Sequence, residues 1–379
     1  MTKFDFAFPG TAAFEEGAAR AKAYQRTRNW LTLLGIFLTL ALFFVYFALG
    51  LDQSFLERSR FVASRFGQLF FFFLFFSLYF LIFSAPLHFY SSFVVENRFG
   101  LTNHTLGTWL VDFIKKEILS FGFSVLLVLG FYAMVWQWPA HWWLGAWIGY
   151  TFITVVMGKL FPVLIVPLFY RYQPLGDGEV KQKVMDLVRR FRHRVQDVYS
   201  LNLSRTTKKA NAMFCGLGKT RRIVLSDTLL SHFTADEIEA VVAHELGHFR
   251  NKDIWRHIGV SMTVSFTMFL VVFFYLQACF PAFGRQGADD IVQMPLVFFS
   301  FFLMSLLAAP LLHAYSRRRE RKADEFAVQS IEDRRSFVSA LAKLATVNLA
   351  DPDPHPIVEF LLYDHPAIRK RIQAAKILR

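Results

Sequence analysis

Six long apolar runs constrain this chain more than any other feature. They fall at about 29–51, 69–93, 118–137, 142–170, 258–280 and 294–315. Each is long enough to cross a hydrocarbon core of ~30 Å as a helix rising 1.5 Å per residue. The expected architecture is a mainly α, polytopic membrane protein with about six transmembrane helices. Composition agrees: 54% of the 379 residues are hydrophobic, only 19% are charged, and 46 are Phe. That balance excludes a disordered chain, a fibrous repeat and an ordinary soluble enzyme. The two cysteines, Cys215 and Cys279, lie far apart in unlike surroundings, so neither a disulfide scaffold nor a thiolate metal site is expected.

Charge places the segments between the runs. The formal net charge is +13, and in a hydrophobic chain such an excess marks cytoplasmic loops rather than nucleic-acid binding. The basic block 181–222 has no zinc finger or recognition helix, so no nucleic acid is expected as a partner. With both termini inside, the segments 1–28, 94–117, 171–257 and 316–379 are cytoplasmic and rich in Lys and Arg, while 138–141 and 281–293 are nearly free of them. Loop 52–68, with Arg58, Arg60 and Arg65, fits this orientation less well. Residues 1–28 are polar and do not read as a cleavable signal peptide. The expected organisation is an N-terminal cytoplasmic segment (1–28), four spans (29–170), a polar unit (171–257), two spans (258–315) and a helical tail (316–379). The cluster Asp112, Lys115, Lys116 and Glu117 predicts an interfacial or re-entrant amphipathic helix over 105–117, with the third span placed after it. Two polar side chains, Lys159 and His313, fall inside apolar runs, where they face a polar interior or snorkel to a surface.

The block 171–257 reads as a small α+β unit. Val184, Leu187, Val188, Phe191 and Val195 have helical spacing, and Val198–Leu203 alternates like a strand. Segments 210–214 and 222–225 flank the turn Gly216–Thr220 as a β-hairpin. Thr234-Ala-Asp-Glu237 is a capping box, so a helix is expected to start at about Ala235.

That helix carries His244-Glu245-Leu246-Gly247-His248. Residues four apart share a helix face, so both imidazoles can reach one zinc ion. Glu245 stands beside such an ion, where a carboxylate can take a proton from water acidified by the metal. A catalytic zinc needs a third protein ligand from another element. The segment Ser316–Ala327 offers Glu320, with Asp324 one turn on to accept the free N–H of a ligand histidine. Alone, this acidic pair in a basic helix would read as a solvated face; the zinc motif gives it a task. Glu320 lies five residues past the sixth run and His248 ten before the fifth, so the metal is expected close to the membrane surface.

Together these residues resemble the type I CAAX prenyl endopeptidases, integral-membrane zinc proteases of the gluzincin class. The likeness rests on Ala243–His248, on Ser316-Arg-x-x-Glu320-x-x-Ala323-Asp324-x-Phe326-Ala327, and on Asn211-Ala212 with Gly216 and Gly218 ahead of Ile223-Val224-Leu225. Phe93–Leu101 followed by Thr105-Leu106-Gly107, and His365-Pro366 with Arg371, agree with it. The resemblance implies a small α+β gluzincin-type protease domain on the cytoplasmic side. It implies one Zn2+ per chain, held by His244, His248 and Glu320, with Glu245 as general base. It further implies that Asn211 and Ala212 lie on an edge strand that pairs with extended substrate, and that His365 (a catalytic helper) and Arg371 approach the substrate or oxyanion. The expected partners are the lipid bilayer and a peptide or protein substrate, either prenylated or membrane-embedded. The expected location is a bacterial inner membrane or an endoplasmic-reticulum-type membrane. Two alternatives stand beside this reading: a heat-shock-type quality-control protease of the same class, and, more remotely, a transporter or receptor with an incidental HExxH.

Overall fold

The computed structural model describes residues 12–192, 195–215, 221–282 and 287–377. The first half is helical: α1 (Ala12–Ala48), the short α2 (Leu51–Ser59), α3 (Arg65–Phe89), α4 (Val95–Arg98), α5 (Leu106–Gln137) and α6 (Trp142–Leu160). The second half contains α7 (Glu179–Arg190), α8 (Asp227–His232), α9 (Ala235–Arg250), α10 (Asp253–Ala282), α11 (Met294–Ser330), α12 (Arg334–Asn348), α13 (Pro356–Leu362) and α14 (Ile368–Ile377). Among the described residues six helical stretches are long and apolar enough to cross a membrane, built on α1, α3, α5, α6, α10 and α11.

Lipid tails are as apolar as Leu, so close packing rather than water exclusion must hold these spans together. Phe supplies it. Phe43, Tyr46, Phe72, Phe73, Phe76 and Tyr132 form a buried cluster across α1, α3 and α5. Phe73 stacks on Phe121 at 5.7 Å, and Phe43 meets Phe80 at 4.8 Å, geometries that add to simple contact. Other rings, such as Phe37, Phe44, Phe152 and Phe274, point outward and suit a hydrocarbon surround.

The third span differs from expectation. Residues 106–117 are not a separate amphipathic helix; they are the first turns of α5, which runs unbroken to Gln137. Thr105 and Thr108 cap its start reciprocally, and no Pro follows Glu117 within the helix to break it. One of its polar residues meets the second half of the molecule: Asp112 accepts from Arg205 at 2.6 Å.

The polar unit is built on a four-stranded sheet of β1 (Tyr172–Pro174), β2 (Val198–Leu201), β3 (Ala212–Cys215) and β4 (Arg222–Ser226), in the order β1-β2-β4-β3. β2 and β4 are parallel, and the β3–β4 hairpin is antiparallel with Ala212 opposite Leu225. The expected turn 216–220 lies outside the described residues, as do positions 1–11 of the N-terminal segment. β3 is an edge strand and packs beside α9, where Phe214 stacks on Phe249 at 5.4 Å.

The expected capping box opens α9: Glu237 Oε2 accepts from the Thr234 backbone N–H at 2.8 Å. Its apolar stripe of Ile238, Val242 and Leu246 is fully buried against α7, the sheet and α12. Burying each such side chain contributes about 1.5–3 kcal/mol. The opposite side of α9 packs on α11, and Gly247 sets how closely. A Cβ there would lie 3.0 Å from the Cα and carbonyl oxygen of Ala323 and 3.1 Å from the Phe326 ring. Replacing Gly247 by Val must therefore push the two helices apart. The expected result is a loss of about 1–3 kcal/mol, read as a lowered thermal unfolding midpoint in detergent, together with reduced metal content after purification.

Candidate metal centre and active site

His244 and His248 project from the α11 side of α9. Glu320 faces them from α11, which continues from the apolar run through Glu320 to Ser330 without a break. The two Nε2 atoms are 3.2 Å apart. Glu320 Oε2 lies 3.4 Å from Nε2 of His244, and Oε1 lies 3.1 Å from Nε2 of His248. These three donors fall within 4.8 Å of one another. Glu320 Oε2 is buried and has no hydrogen-bond partner, an arrangement that is costly unless a cation completes it. Two imidazoles and a carboxylate are a donor set suited to a divalent metal, so the residues present fit one.

Each histidine is held by its other nitrogen. Asp324 Oδ1 accepts the Nδ1–H of His244 at 2.8 Å. Arg371 clamps the same carboxylate with two bonds, Nε to Oδ2 at 2.8 Å and Nη2 to Oδ1 at 2.6 Å. Asp253 Oδ2 accepts the Nδ1–H of His248 at 2.9 Å, and Arg319 donates from Nε to Asp253 Oδ1 at 2.6 Å. Both pairs present Nε2 to the common centre and fix the tautomer that leaves it free to ligate. The environment is strongly polarised. Burial disfavours the His244 cation, yet the carboxylates of Asp324 and Glu320 beside it outweigh burial and raise its pKa to about 9. Burial pushes the Glu245 carboxyl above its ordinary value, partly offset by the two imidazoles. A carboxyl whose pKa is raised above its ordinary value holds a proton more readily than an ordinary carboxylate.

The expected residues fall as follows. His244, His248, Glu320 and Asp324 meet in one cluster. His365 joins it from the loop after α13, its Nε2 3.5 Å from Glu320 Oε1, its Nδ1 bonded to Asp364 at 2.8 Å and its side chain 54% exposed. Asn211 is exposed just ahead of the edge strand, and Ala212 opens that strand. Arg371, expected beside substrate, is instead buried with its guanidinium fork committed to Asp324; it reaches Glu320 Oε2 only at 4.0 Å. His313 bonds the carbonyl of Leu361 through Nδ1 at 2.9 Å.

Sequence reasoning missed Asp253, Arg319 and Arg317. Asp253 follows Lys252, whose φ of 54° lies in the left-handed region and turns the chain so that α10 starts beneath His248. A carboxylate five residues after the second histidine was the available signal. Arg317 donates to the carbonyls of Glu359 at 2.9 Å and Tyr363 at 2.5 Å, tying α13 to α11 and so holding the His365 loop at the centre. A run of three arginines in sequence gave no hint that two of them turn inward.

Membrane-spanning helices, an α+β unit on their ends and a His-His-Glu centre define an integral-membrane metallopeptidase. The sequence matches the family profile described as Peptidase family M48 over residues 174–378 and that described as CAAX prenyl protease N-terminal, five membrane helices, over residues 12–171. The chain belongs to peptidase family M48. Within 12–171 the described residues contain four helices long enough to span. The uncharacterized metalloprotease YhfN of Bacillus subtilis is 29% identical over 94% of this chain and 85% of its own length. CAAX prenyl protease 1 of Saccharomyces cerevisiae is 29% identical over 76% of this chain and 68% of its own. The crystal structure of S. mikatae Ste24p shares the fold with a TM-score of 0.84 at 23% identity, covering 95% of this chain and 88% of that one. The protein is a multi-pass membrane metalloprotease of the CAAX prenyl protease type.

Outer carboxylates of this kind tune metal affinity by roughly 10–100-fold. Asp253→Asn should weaken metal retention within that range while leaving the helical circular dichroism signal unchanged. Dialysis against a graded chelator series with metal analysis measures it; unaltered retention would remove Asp253 from the centre.

Proposed function

We propose that this protein is a zinc endopeptidase that hydrolyses a peptide bond of a substrate lying along the membrane surface, with the C-terminal segment of a prenylated protein as the favoured substrate class. The observation that carries this reading is the convergence of two imidazole Nε2 atoms on the Glu320 carboxylate, one oxygen of which is buried without a hydrogen-bond partner, each imidazole being held from behind by its own carboxylate. His244, His248 and Glu320 would hold the zinc. Bound there, zinc supplies Lewis acidity, which polarises a carbonyl and makes water a competent nucleophile near neutral pH.

The chain's own groups then have distinct tasks. Glu245 accepts the proton of the attacking water and passes it to the departing amine. Its raised pKa serves both steps, because the same carboxyl must hold the proton between them. The free side of β3, starting at Asn211 and Ala212, offers backbone N–H and C=O groups to an extended peptide, and its place beside α9 brings that peptide past Glu245. His365, half exposed and fixed through Asp364, lies where an imidazole can donate to developing negative charge on substrate oxygen. Arg371 is a positioning residue that acts through Asp324 and His244. The centre sits a few turns beyond the apolar part of α11, which suits a substrate anchored in lipid. The positive-inside pattern supports a cytoplasmic catalytic side.

The N-terminal family match favours this reading over a heat-shock-type quality-control protease. Peptidase family membership leaves the transporter reading without support. The purified protein should cleave a farnesylated CAAX peptide faster than its unprenylated twin, with product masses read by mass spectrometry; equal rates would reject the prenyl preference. Glu245→Gln should lower kcat by at least 10²-fold while metal content stays near that of the parent. Chelation should abolish cleavage and zinc should restore it.

A further inference from the structure

A second cationic feature lies away from the metal centre, where two spans end. Lys115 of α5 faces Arg171, which immediately follows the fourth apolar run, and Arg205, which follows β2. Together with Pro167, Leu168 and Asn202 they line an open pocket of about 290 Å³. Asp112 engages Arg205 at 2.6 Å and lies 3.9 Å from His104 Nε2, so the nearest acid is already committed. Among the described residues neither Lys115 nor Arg171 has a carboxylate partner. The backbone around the pocket is fixed: Asn202 Oδ1 accepts from the Arg171 N–H at 2.6 Å, and the Asn202 N–H donates back to the Arg171 carbonyl at 3.3 Å.

Three cationic side chains thus line one pocket and, among the described residues, only Arg205 has a carboxylate partner, an arrangement that favours an anion there. The wall is not purely polar: Leu168 is 55% exposed at the pocket and continues the apolar surface of the span. A ligand that satisfies both features is anionic at one end and apolar at the other. We propose that this pocket binds the phosphodiester headgroup of an anionic phospholipid, with the acyl chains running down the outer surface of α5 and α6. Basic pockets between helices at the membrane surface recognise such headgroups, and Arg with Lys provides both bidentate and point-charge contacts to phosphate. The pocket joins α5, the end of the fourth span and the sheet, so a bound headgroup pins the polar unit to the membrane helices. This site is independent of the peptidase chemistry.

The test uses the full-length protein in phosphatidylcholine vesicles with or without phosphatidylglycerol. Phosphatidylglycerol should raise the thermal unfolding midpoint and remain bound in native mass spectra. K115Q/R171Q should weaken its apparent affinity roughly thirty-fold, the value for two cations near a lipid surface. Lys115→Gln alone should weaken it about five-fold, which keeps the test open if the double variant folds poorly. R58Q/R60Q removes the same charge outside the pocket and should leave affinity near that of the parent. Parent-like affinity in K115Q/R171Q, an equal loss in R58Q/R60Q, or an equal rise in midpoint with inorganic phosphate at the same concentration would each overturn the proposal.

Discussion

The close approach of α9 to α11 is the constraint on which the site depends. Imidazoles from one helix and a carboxylate from another can share a cation only if the two backbones come nearly into contact. Gly247 and Ala323 allow this, with 3.0 Å between a notional Cβ and the neighbouring backbone. The glycine of the motif is thus a packing residue, placed between the histidines because that turn faces the partner helix. The large apolar residues sit on the other side of α9, in the core with α7, α12 and the sheet. One helix therefore divides its faces: small and ligating toward α11, bulky toward the core.

Around this contact, each half of the metal centre draws on remote chain. Asp324 stands one turn beyond Glu320 and is held by Arg371 of α14, whereas Asp253 opens α10 and is held by Arg319, the neighbour of Glu320. Each carboxylate thus lies between an imidazole and an arginine. A buried carboxylate flanked in this way keeps its charge without being left unpaired, a condition for burying it at all. The same pairs also attach the C-terminal helices to the spans. α14 closes over the site through Arg371, and Arg317 anchors α13.

What could be read from sequence follows physical range. Apolar runs report spans because hydrocarbon thickness fixes their length, and Thr234 with Glu237 reports the start of α9 because capping is local. The HExxH spacing reports a shared helix face for the same reason. Glu320 was reachable since a metal demands another donor and the chain offered few. Asp253 left one signal, a carboxylate five residues after the second histidine, but Arg319 and Arg317 depend on which way helices face after folding, and nothing within a few residues of them encodes that. The misreading at 105–117 has a related cause. A polar cluster beside an apolar run resembles a surface helix, but Asp112 here is polar because it meets Arg205 across the fold. Arg371 shows the opposite limit: proximity to the centre was expected, and the structure adds that Nε and Nη2 of its fork grip Asp324.

The position of the centre along α11 links the membrane to the chemistry. A single unbroken helix runs from Met294 in the apolar region to Glu320, so the depth of the span sets the height of the third donor. α10 does the same for His248, because its first residue, Asp253, holds that imidazole. Two of the six spans therefore hold the metal centre directly, one through a donor and one through the donor's support. A soluble domain on a flexible tether would let that height vary by the length of the tether. Here the height is fixed by helical rise, and the open edge of β3 is fixed with it through the Phe214–Phe249 stack on α9. On the proposed function, a peptide paired to that edge would enter at a constant distance from the lipid, and selection by distance from a membrane anchor would follow from the way the spans carry the site.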